Sequence, residues 1–519
     1  MNDIEHFVKI GVALSTEKKH HLLLEQILTS AMELAHADAG TIYSISAEQQ
    51  LVFNTVFNHS LDLHLGGSSN NEISFPNIDI FTNGEINSNA IVAVAAATGE
   101  VINIEDVYQC HDYDLSAAQE MDKRTGYKTQ SVLTLPMKNH QEELNGVIQL
   151  INAKDSQGNI ISFDKNTSRM VLALTSLAAI ILTNKQLIDE MENLFGAFSK
   201  LIAMAIDQKS PYTGGHCRRV PEITMMLADA CHHIQHGPLA DFSMNSDDYH
   251  ELSVAAWLHD CGKVATPEYI MDKAKKLEKV FDRIELVNAR FEIAARDITY
   301  STKMTEQEKL IKLKQLNDDR AFIRNANTGG EFFDDDKINR VYNIAKHYQV
   351  SIAEVNQPIL TADEVLNLIT KRGTLNAKDR QIINDHMKVT VAMLESLPFP
   401  KHLKNVPEYA CGHHEKMDGT GYPKGLKRDQ MSTQARIMAI ADVFEALTAS
   451  DRPYKAPKTL SETLTIMGRM KLDDHLDPDL FDVFVEQKVY LTFAEKFLQP
   501  EQIDQFDLNT IPGYQQKTD

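Results

Sequence analysis

The apolar run MVLALTSLAAIIL at 170–182 leads almost directly into NKQLIDEMENLFGAFSKLIAMAID at 184–207, and together they divide the chain. The run is too short to span a bilayer and reads as a buried helix. In the second segment Leu187, Met191, Leu194, Phe198, Leu201 and Ala205 alternate at spacings of four and three, which is an a/d heptad seam. Such a seam wants a second helix, so the spacing predicts a linker helix over 186–207 that pairs two copies of the chain as a parallel homodimer. Gly196 weakens that helix slightly. At 519 residues the chain is too long for one core, and separate domains are expected on either side.

Residues 1–185 mix both periodicities: a helix through Leu22 to Ala37, strand-like TIYSI at 41–45 and LVFNTVF at 51–57, then SVLTLPM at 131–137 and NGVIQLINA at 145–153. This pattern implies an α+β domain with an antiparallel sheet. From 208 onward the pattern is helical almost throughout, with polar breaks near 236–247, 325–335 and 452–458, so an all-α domain is expected over 208–495 and a tail over 496–519.

A net charge of −21 repels phosphate at long range and argues against a nucleic-acid partner or an anionic membrane surface. An anionic substrate must then be held by local cations. Cys110, Cys217, Cys231, Cys261 and Cys411 are odd in number and lack CxxC spacing, which fits reduced thiols. MNDIEHFVKIG lacks the basic and apolar regions of a signal peptide, so a cytoplasmic protein without membrane insertion is expected.

The chemistry concentrates in the second half. WLHDCGKV sets His259 and Asp260 side by side at the end of an apolar helical run, with Gly262 and Lys263 following. HHEKMDGTGYP at 413–423 adds the adjacent pair His413 and His414 ahead of a Gly/Pro turn. Neutral imidazoles can each ligate a metal ion while a carboxylate bridges two. Asp442, inside apolar RIMAIADVFEALTA, carries a large desolvation cost unless it meets a cation. Metal ligation answers that cost.

The first block resembles a GAF domain, on the strength of ADAGTIY at 37–43, TGYKTQSVLTLPM at 125–137 and NGVIQLINAKDSQGNIISFDK at 145–165. GAF domains are small-molecule sensors, and some that bind cyclic nucleotides carry an Asn-Lys-Phe-Asp-Glu signature. Asn152, Lys154, Phe163 and Asp164 match part of it, while Lys165 and Asn166 stand where an acid is sought. The alternative is a sheet-to-helix turn built from ordinary polar residues.

From about 200 to 495 the chain resembles an HD-GYP domain, the phosphodiesterase branch of the HD superfamily. The carrying segments are SPYTGGHCRRV at 210–220, HDCGK at 259–263, GTLNAKDRQIINDHMKVTVAML at 373–394, HHEKMDGTGYP, and ARIMAIADVFEALTASDRPYK at 435–455. By position the resemblance implies His259, Asp260, His386, His413, His414 and Asp442 as metal ligands, with His216 lining the site or ligating an ion. Many family members have the next ligand histidine much nearer the HD pair. Here none occurs between His259 and His347, which implies a helical insertion at about 275–372.

No Glu precedes His216 in its turn, which favours two metal ions over three. The implied reaction is opening of a cyclic dinucleotide, most often cyclic di-GMP, to pGpG and then GMP, with iron or manganese as the metal. Cyclic GMP-AMP is the alternative substrate, and a silent dinucleotide receptor or another HD hydrolase are rival functions. Lys263 would act with Asp260 in catalysis as a point charge on the phosphoryl oxygens. Arg436, Arg452 and Lys455 would clamp the other phosphate, and Asp418, Gly419, Gly421, Tyr422 and Pro423 would shape the base and ribose pocket.

Overall fold

The computed structural model describes residues 10–14, 17, 19–210, 215–330, 332–450 and 457–515. The chain divides into two compact units at Leu194/Phe195.

In the first unit, helix α1 (His20–Ala35) buries Leu23, Leu24, Ile27, Leu28, Ala31 and Met32, an i, i+3/i+4 stripe. It stops where His36 turns left-handed at φ 49°. The chain then enters an antiparallel sheet of β1 (Ala37–Ile45), β2 (Gln50–Asn58), β3 (Leu63–Gly66), β4 (Ile102–Ile104), β5 (Val132–Lys138) and β6 (Leu144–Lys154). The strand order is β3-β2-β1-β6-β5-β4, with two-residue strands at 78–79 and 160–161 off that path. Register places Ile42 and Leu135 on either side of Ile148, all fully buried against α1. The polar stretch between β3 and β5 holds α2 (Ile91–Thr98) and α3 (Ser116–Thr125), neither of which was legible beforehand.

Helix α4 runs from Lys165 to Lys209. Val171, Leu174, Ala178, Ala179 and Leu182 sit in the core of the first unit, whereas Leu187, Met191, Leu194, Phe198 and Leu201 are 55–71% exposed. By length and composition α4 is the one helix among the described residues that could cross a membrane, and 39% of its apolar window is buried.

The second unit is helical: α5 (His216–His233), α6 (Ser246–Leu258), α7 (Ile284–Thr299), α8 (Glu306–Ala326), α9 (Asp335–His347), α10 (Ala362–Leu368), α11 (Ala377–Asn384), α12 (His386–Glu395), α13 (Val406–Cys411), α14 (Thr433–Thr448), α15 (Leu460–Leu472), α16 (Pro478–Glu486) and α17 (Val489–Phe497). Its main core joins α5, α6 and α12 to α17 through Leu227, Leu252, Met387, Ile440, Leu464, Phe484 and Phe493. Residues from Leu277 to Leu368 build a second core of their own around Phe291, Leu316, Ile323, Val341 and Leu360.

That lobe departs from the all-helical expectation in one place, because Gln349–Ile352 (β7) and Val355–Pro358 (β8) pair as an antiparallel hairpin. Its turn holds Ala353 and Glu354 at φ 51° and 65°, the left-handed geometry that tight hairpins need. Neither residue advertises that geometry, so the turn leaves no sequence signal.

Of two buried lysines, Lys273 ties the lobe to the helix leading into His386 and Lys276 ties the lobe to itself. Lys273 Nζ lies 2.6 Å from Asp379 Oδ2 and 2.7 Å from Asn367 Oδ1, and Lys276 Nζ donates to the carbonyls of Leu368 and Thr370 while resting over Phe333. Burial pulls the Lys276 ammonium down to about 8. Lys273→Met leaves the Asp379 charge buried without its cation, and denaturant unfolding is expected to show a loss of roughly 3–5 kcal/mol.

Candidate metal centre

Three of the candidate histidines stand at helix ends, where a carbonyl is available to fix the ring. His259 follows α6 and its Nδ1 lies 2.7 Å from the carbonyl of Ala256; His413 follows α13 with Nδ1 2.6 Å from that of Ala410. His386 opens α12 with Nδ1 2.5 Å from the carbonyl of Ile383. A carbonyl only accepts, so Nδ1 carries the proton and Nε2 the lone pair in all three rings. With the rings so oriented, those three Nε2 atoms and Asp260 Oδ1 make no hydrogen bond although the four residues are at most 3% exposed, and the lone pairs of His259 and His386 lie 3.1 and 3.2 Å from the Asp260 carboxylate.

An unpaired buried polar atom costs about 1–3 kcal/mol, so four converging ones demand a ligand. All four offer lone pairs and none offers a proton, which fits a cation. The ligand atoms of Asp260, His386, His413 and His414 lie within 4.8 Å of one another, and those of His216, His259 and Asp260 form a second such group. Asp260 belongs to both, the position a bridging carboxylate takes. Asp442, on α14, belongs to neither group and faces His216, its Oδ1 3.3 Å from Nε2.

Electrostatics agree with this assignment at His413, His414, Asp260 and Asp442, whereas at His216 the carboxylates of Glu445, Asp260 and Asp442 overcome burial and hold the imidazole well above its usual range. Burial, with the His414 and His259 rings nearby, keeps the His413 imidazole well below its usual range, and burial takes His414 down to about 4. Both rings therefore stay neutral. Burial alone would raise Asp260 and Asp442, but Lys263 and His259 hold the first low and His216 holds the second low, so both are carboxylates. Lys263 Nζ is 2.5 Å from Asp260 Oδ2.

His216, expected to line the site, stands among the candidate ligand atoms, with Nε2 3.2 Å from Asp260 Oδ2. Its Nδ1 contacts Glu445, which in turn accepts from Arg219 Nε at 2.7 Å. Neither partner was singled out from the sequence. The available signal was spacing: Glu445 follows Asp442, and Arg219 follows His216, by one helical turn.

Gly262 explains the glycine of HDCGK. A Cβ there would lie 2.1 Å from the His386 carbonyl and 2.5 Å from the Thr390 nitrogen, so only glycine lets the turn after Asp260 press on α12. The Gly262 N–H also donates to Thr390 Oγ1 at 3.0 Å.

The Gly-Tyr-Pro turn is fastened to the same cluster. Tyr422 stacks on His414, with ring centroids 4.8 Å apart at 28°, and the Tyr422-Pro423 bond is cis. Gly421 packs so closely that a Cβ would fall 2.4 Å from the Glu415 Cα, and Gly419 takes φ +84°. Asp418, exposed, accepts from the N–H and hydroxyl of Thr420 at 2.8 Å and shapes the turn from within. Glu415, given no role from the sequence, is 1% exposed and accepts from the Lys424 and Leu426 N–H groups at 2.7 and 2.9 Å. It pins the turn.

Two sets of candidate residues are engaged within the fold. Arg436 is held by Asp477, Thr433 and the Ser432 carbonyl, and beside it Arg428 Nε reaches the same Asp477 at 2.8 Å. That engagement braces the loop ahead of α16. Arg452 and Lys455 lie outside the described residues.

The partial GAF signature is the second. Asn152 is 1% exposed at φ 57°, accepts from the Gln130 N–H at 2.7 Å, and donates to Tyr127 Oη at 3.0 Å and the Lys128 carbonyl at 2.8 Å. Lys154 pairs with Asp38, which also accepts from Tyr127 Oη at 2.9 Å. Phe163 is buried, and Asp164 accepts from the N–H groups of Asn166 and Thr167 at 2.7 and 2.8 Å, capping α4. All four side chains are satisfied internally, as in the turn reading.

With this geometry in view, comparison with known proteins is informative. A GAF domain model matches residues 20–182, and an HD domain model matches 345–480. The chain carries a GAF domain and an HD domain. The HD match begins inside the lobe and takes in His386, His413, His414 and Asp442, while His259 and Asp260 precede it across the lobe.

Among curated relatives, a probable cyclic di-GMP phosphodiesterase of Vibrio cholerae is 36% identical over 146 residues, 26% of this chain and 32% of that protein. A 3'3'-cGAMP-specific phosphodiesterase of the same organism is 38% identical over 138 residues, 26% of this chain and 30% of its own length. A cyclic di-GMP phosphodiesterase of Thermotoga maritima is 31% identical over 129 residues, 24% of this chain and 33% of that protein. The chain thus spans about a third of the length of the relatives it matches.

Gly262→Ala drives a methyl group into the His386 backbone. Overpacking of this kind costs about 1–3 kcal/mol, and the variant is expected to melt earlier and to hold less metal per chain, measured by calorimetry and elemental analysis.

Proposed function

We propose that the chain is an HD-GYP phosphodiesterase that opens a cyclic dinucleotide at a two-metal centre. The carrying observation is the convergence of three buried, unpaired Nε2 atoms with Asp260 Oδ1. His259, Asp260, His386, His413, His414 and Asp442 would hold the ions, joined by His216, and iron or manganese suits a mixed imidazole and carboxylate set. Two such ions supply an activated water and neutralise the phosphoryl oxygens.

The protein's own part is orientation and charge. The helix-end carbonyls of Ala256, Ile383 and Ala410 hold the rings in one tautomer. Lys263, beside Asp260, brings a cation to the place where phosphate charge must be held. Tyr422, stacked on His414 and followed by Pro423, offers a flat wall for a base, with Asp418, Gly419 and Gly421 setting the turn's path.

Cyclic di-GMP cleaved to pGpG, and further to GMP, is the first reading. 3'3'-cGAMP is the second, because relatives named for each substrate match at similar identity. The GAF domain would regulate turnover by binding a small molecule, at residues other than the four that complete its own fold. The exposed seam on α4 would pair two chains, and five free cysteines suit a reducing cytoplasm.

Metal-loaded protein incubated separately with cyclic di-GMP, 3'3'-cGAMP and cyclic AMP is expected to release a linear dinucleotide from one or both of the first two only. Absence of turnover on all three despite full metal occupancy would sink the proposal. His413→Ala is expected to lower hydrolysis and metal content by more than the roughly 10–100-fold that loss of an outer partner costs.

For the seam, Met191→Asp with Leu194→Asp should convert a dimer to a monomer in sedimentation analysis. A wild-type monomer at micromolar concentration would refute the pairing.

A further inference from the structure

The last turn of α4 grips both halves of the metal cluster. Asp207, 8% exposed, accepts from the Gly215 N–H at 3.1 Å through Oδ2 and from the Cys217 N–H at 3.4 Å through Oδ1. Those two N–H groups belong to the start of α5, whose own N-cap, Gly215 at φ 93°, has no capping side chain. Asp207 therefore caps α5 from outside, placing a carboxylate at the helix's positive end on both sides of His216.

Lys209 does the opposite two residues on. Its Nζ donates to the carbonyls of Lys263 at 3.4 Å, Thr266 at 2.6 Å, and Val264 between them. These carbonyls close the 3-10 turn Cys261–Ala265, for which Asp260 is the N-cap. A cation at that end satisfies acceptors the short turn cannot pair itself. Buried Ala203 and Ile206 anchor the same stretch of α4 in the core, so its position is fixed by packing rather than by the site.

We propose that Asp207 and Lys209 are positioning residues for the metal centre, Asp207 setting His216 through the start of α5 and Lys209 setting Asp260 and Lys263 through the 3-10 turn. Neither touches the ions or the substrate. The two ligand groups that share Asp260 are thereby referenced to one helix end, and a displacement of α4 would alter the spacing between them. This inference rests on the metal-centre reading above.

The test is Mn²⁺ affinity by electron paramagnetic resonance, with kcat and KM alongside, on the full chain. Asp207→Ala and Lys209→Met are expected to weaken Mn²⁺ binding by roughly 10-fold or more and to lower kcat with KM little changed. Lys209→Arg, which keeps the donors, should stay within about threefold of wild type. Lys200→Met is the control, since that lysine of the same helix rests over Trp257, 5.6 Å from its ring.

Wild-type Mn²⁺ affinity in both Asp207→Ala and Lys209→Met would overturn the proposal, as would an equal loss in Lys200→Met. Should one variant fail to fold, the other and the Lys209→Arg rescue still decide the matter. A wild type that binds Mn²⁺ but cleaves no dinucleotide refutes the proposed reaction and leaves the affinity comparison valid.

Discussion

A ring that donates Nδ1–H to the carbonyl three residues before it has only Nε2 left to offer, and in His259, His386 and His413 that atom is buried and unpaired. The second unit is organised around this constraint. Three helices must end or begin at one point, because a helix terminus is where a carbonyl is free for such a bond. Gly262 must be glycine so that two of those termini can meet. The surrounding apolar core lowers the cost of neutral rings and raises that of Asp260 and Asp442, so the same packing that positions the ligands also creates their demand for a cation.

Much of this was legible because the residues with unusual chemistry sit in short ordered segments. An acid in an apolar helix, as at Asp442, or adjacent histidines before a Gly/Pro turn are hard to account for otherwise. The supporting partners were less legible. Glu415, Glu445 and Arg219 are ordinary charged residues in sequence, and what distinguishes them is near-complete burial of two carboxylates and the pairing of Arg219 with Glu445, both products of the fold. Glu445 and Arg219 leave as their only trace a spacing of one turn from a candidate ligand.

The same asymmetry applies to positions whose role the residue type left open. Asn152, Lys154, Phe163 and Asp164 drew notice as part of a ligand signature, yet each does a task any sheet-to-helix junction requires: filling a left-handed corner, pairing a buried acid, closing a core, capping a helix. Residue type and spacing suit both roles, and only the count of satisfied donors and acceptors separates them. Arg436 adds a further instance, since a cation in a candidate substrate segment is engaged by Asp477. For the β7–β8 hairpin the turn residues Ala353 and Glu354 carry no turn preference, so tertiary packing of the lobe sets the geometry.

Charge joins these observations into one requirement. On the proposed function, a chain of net charge −21 would have to attract a substrate bearing phosphodiester anions to a cluster that itself contains Asp260, Asp442 and Glu445, against Lys263, Arg219 and His216. Arg219 is already engaged by Glu445, and Lys263 by Asp260. Against burial, Glu445, Asp260 and Asp442 hold the His216 imidazole well above its usual range, so three carboxylates face three cations and none of these cations is left to meet a phosphate. Divalent ions would make the cluster positive, so on the proposed function metal loading would be the condition for substrate binding as well as for chemistry. The seating of His216 and Asp260 by neighbouring helix ends would then matter twice, once for holding the ions and once for the field that the substrate meets.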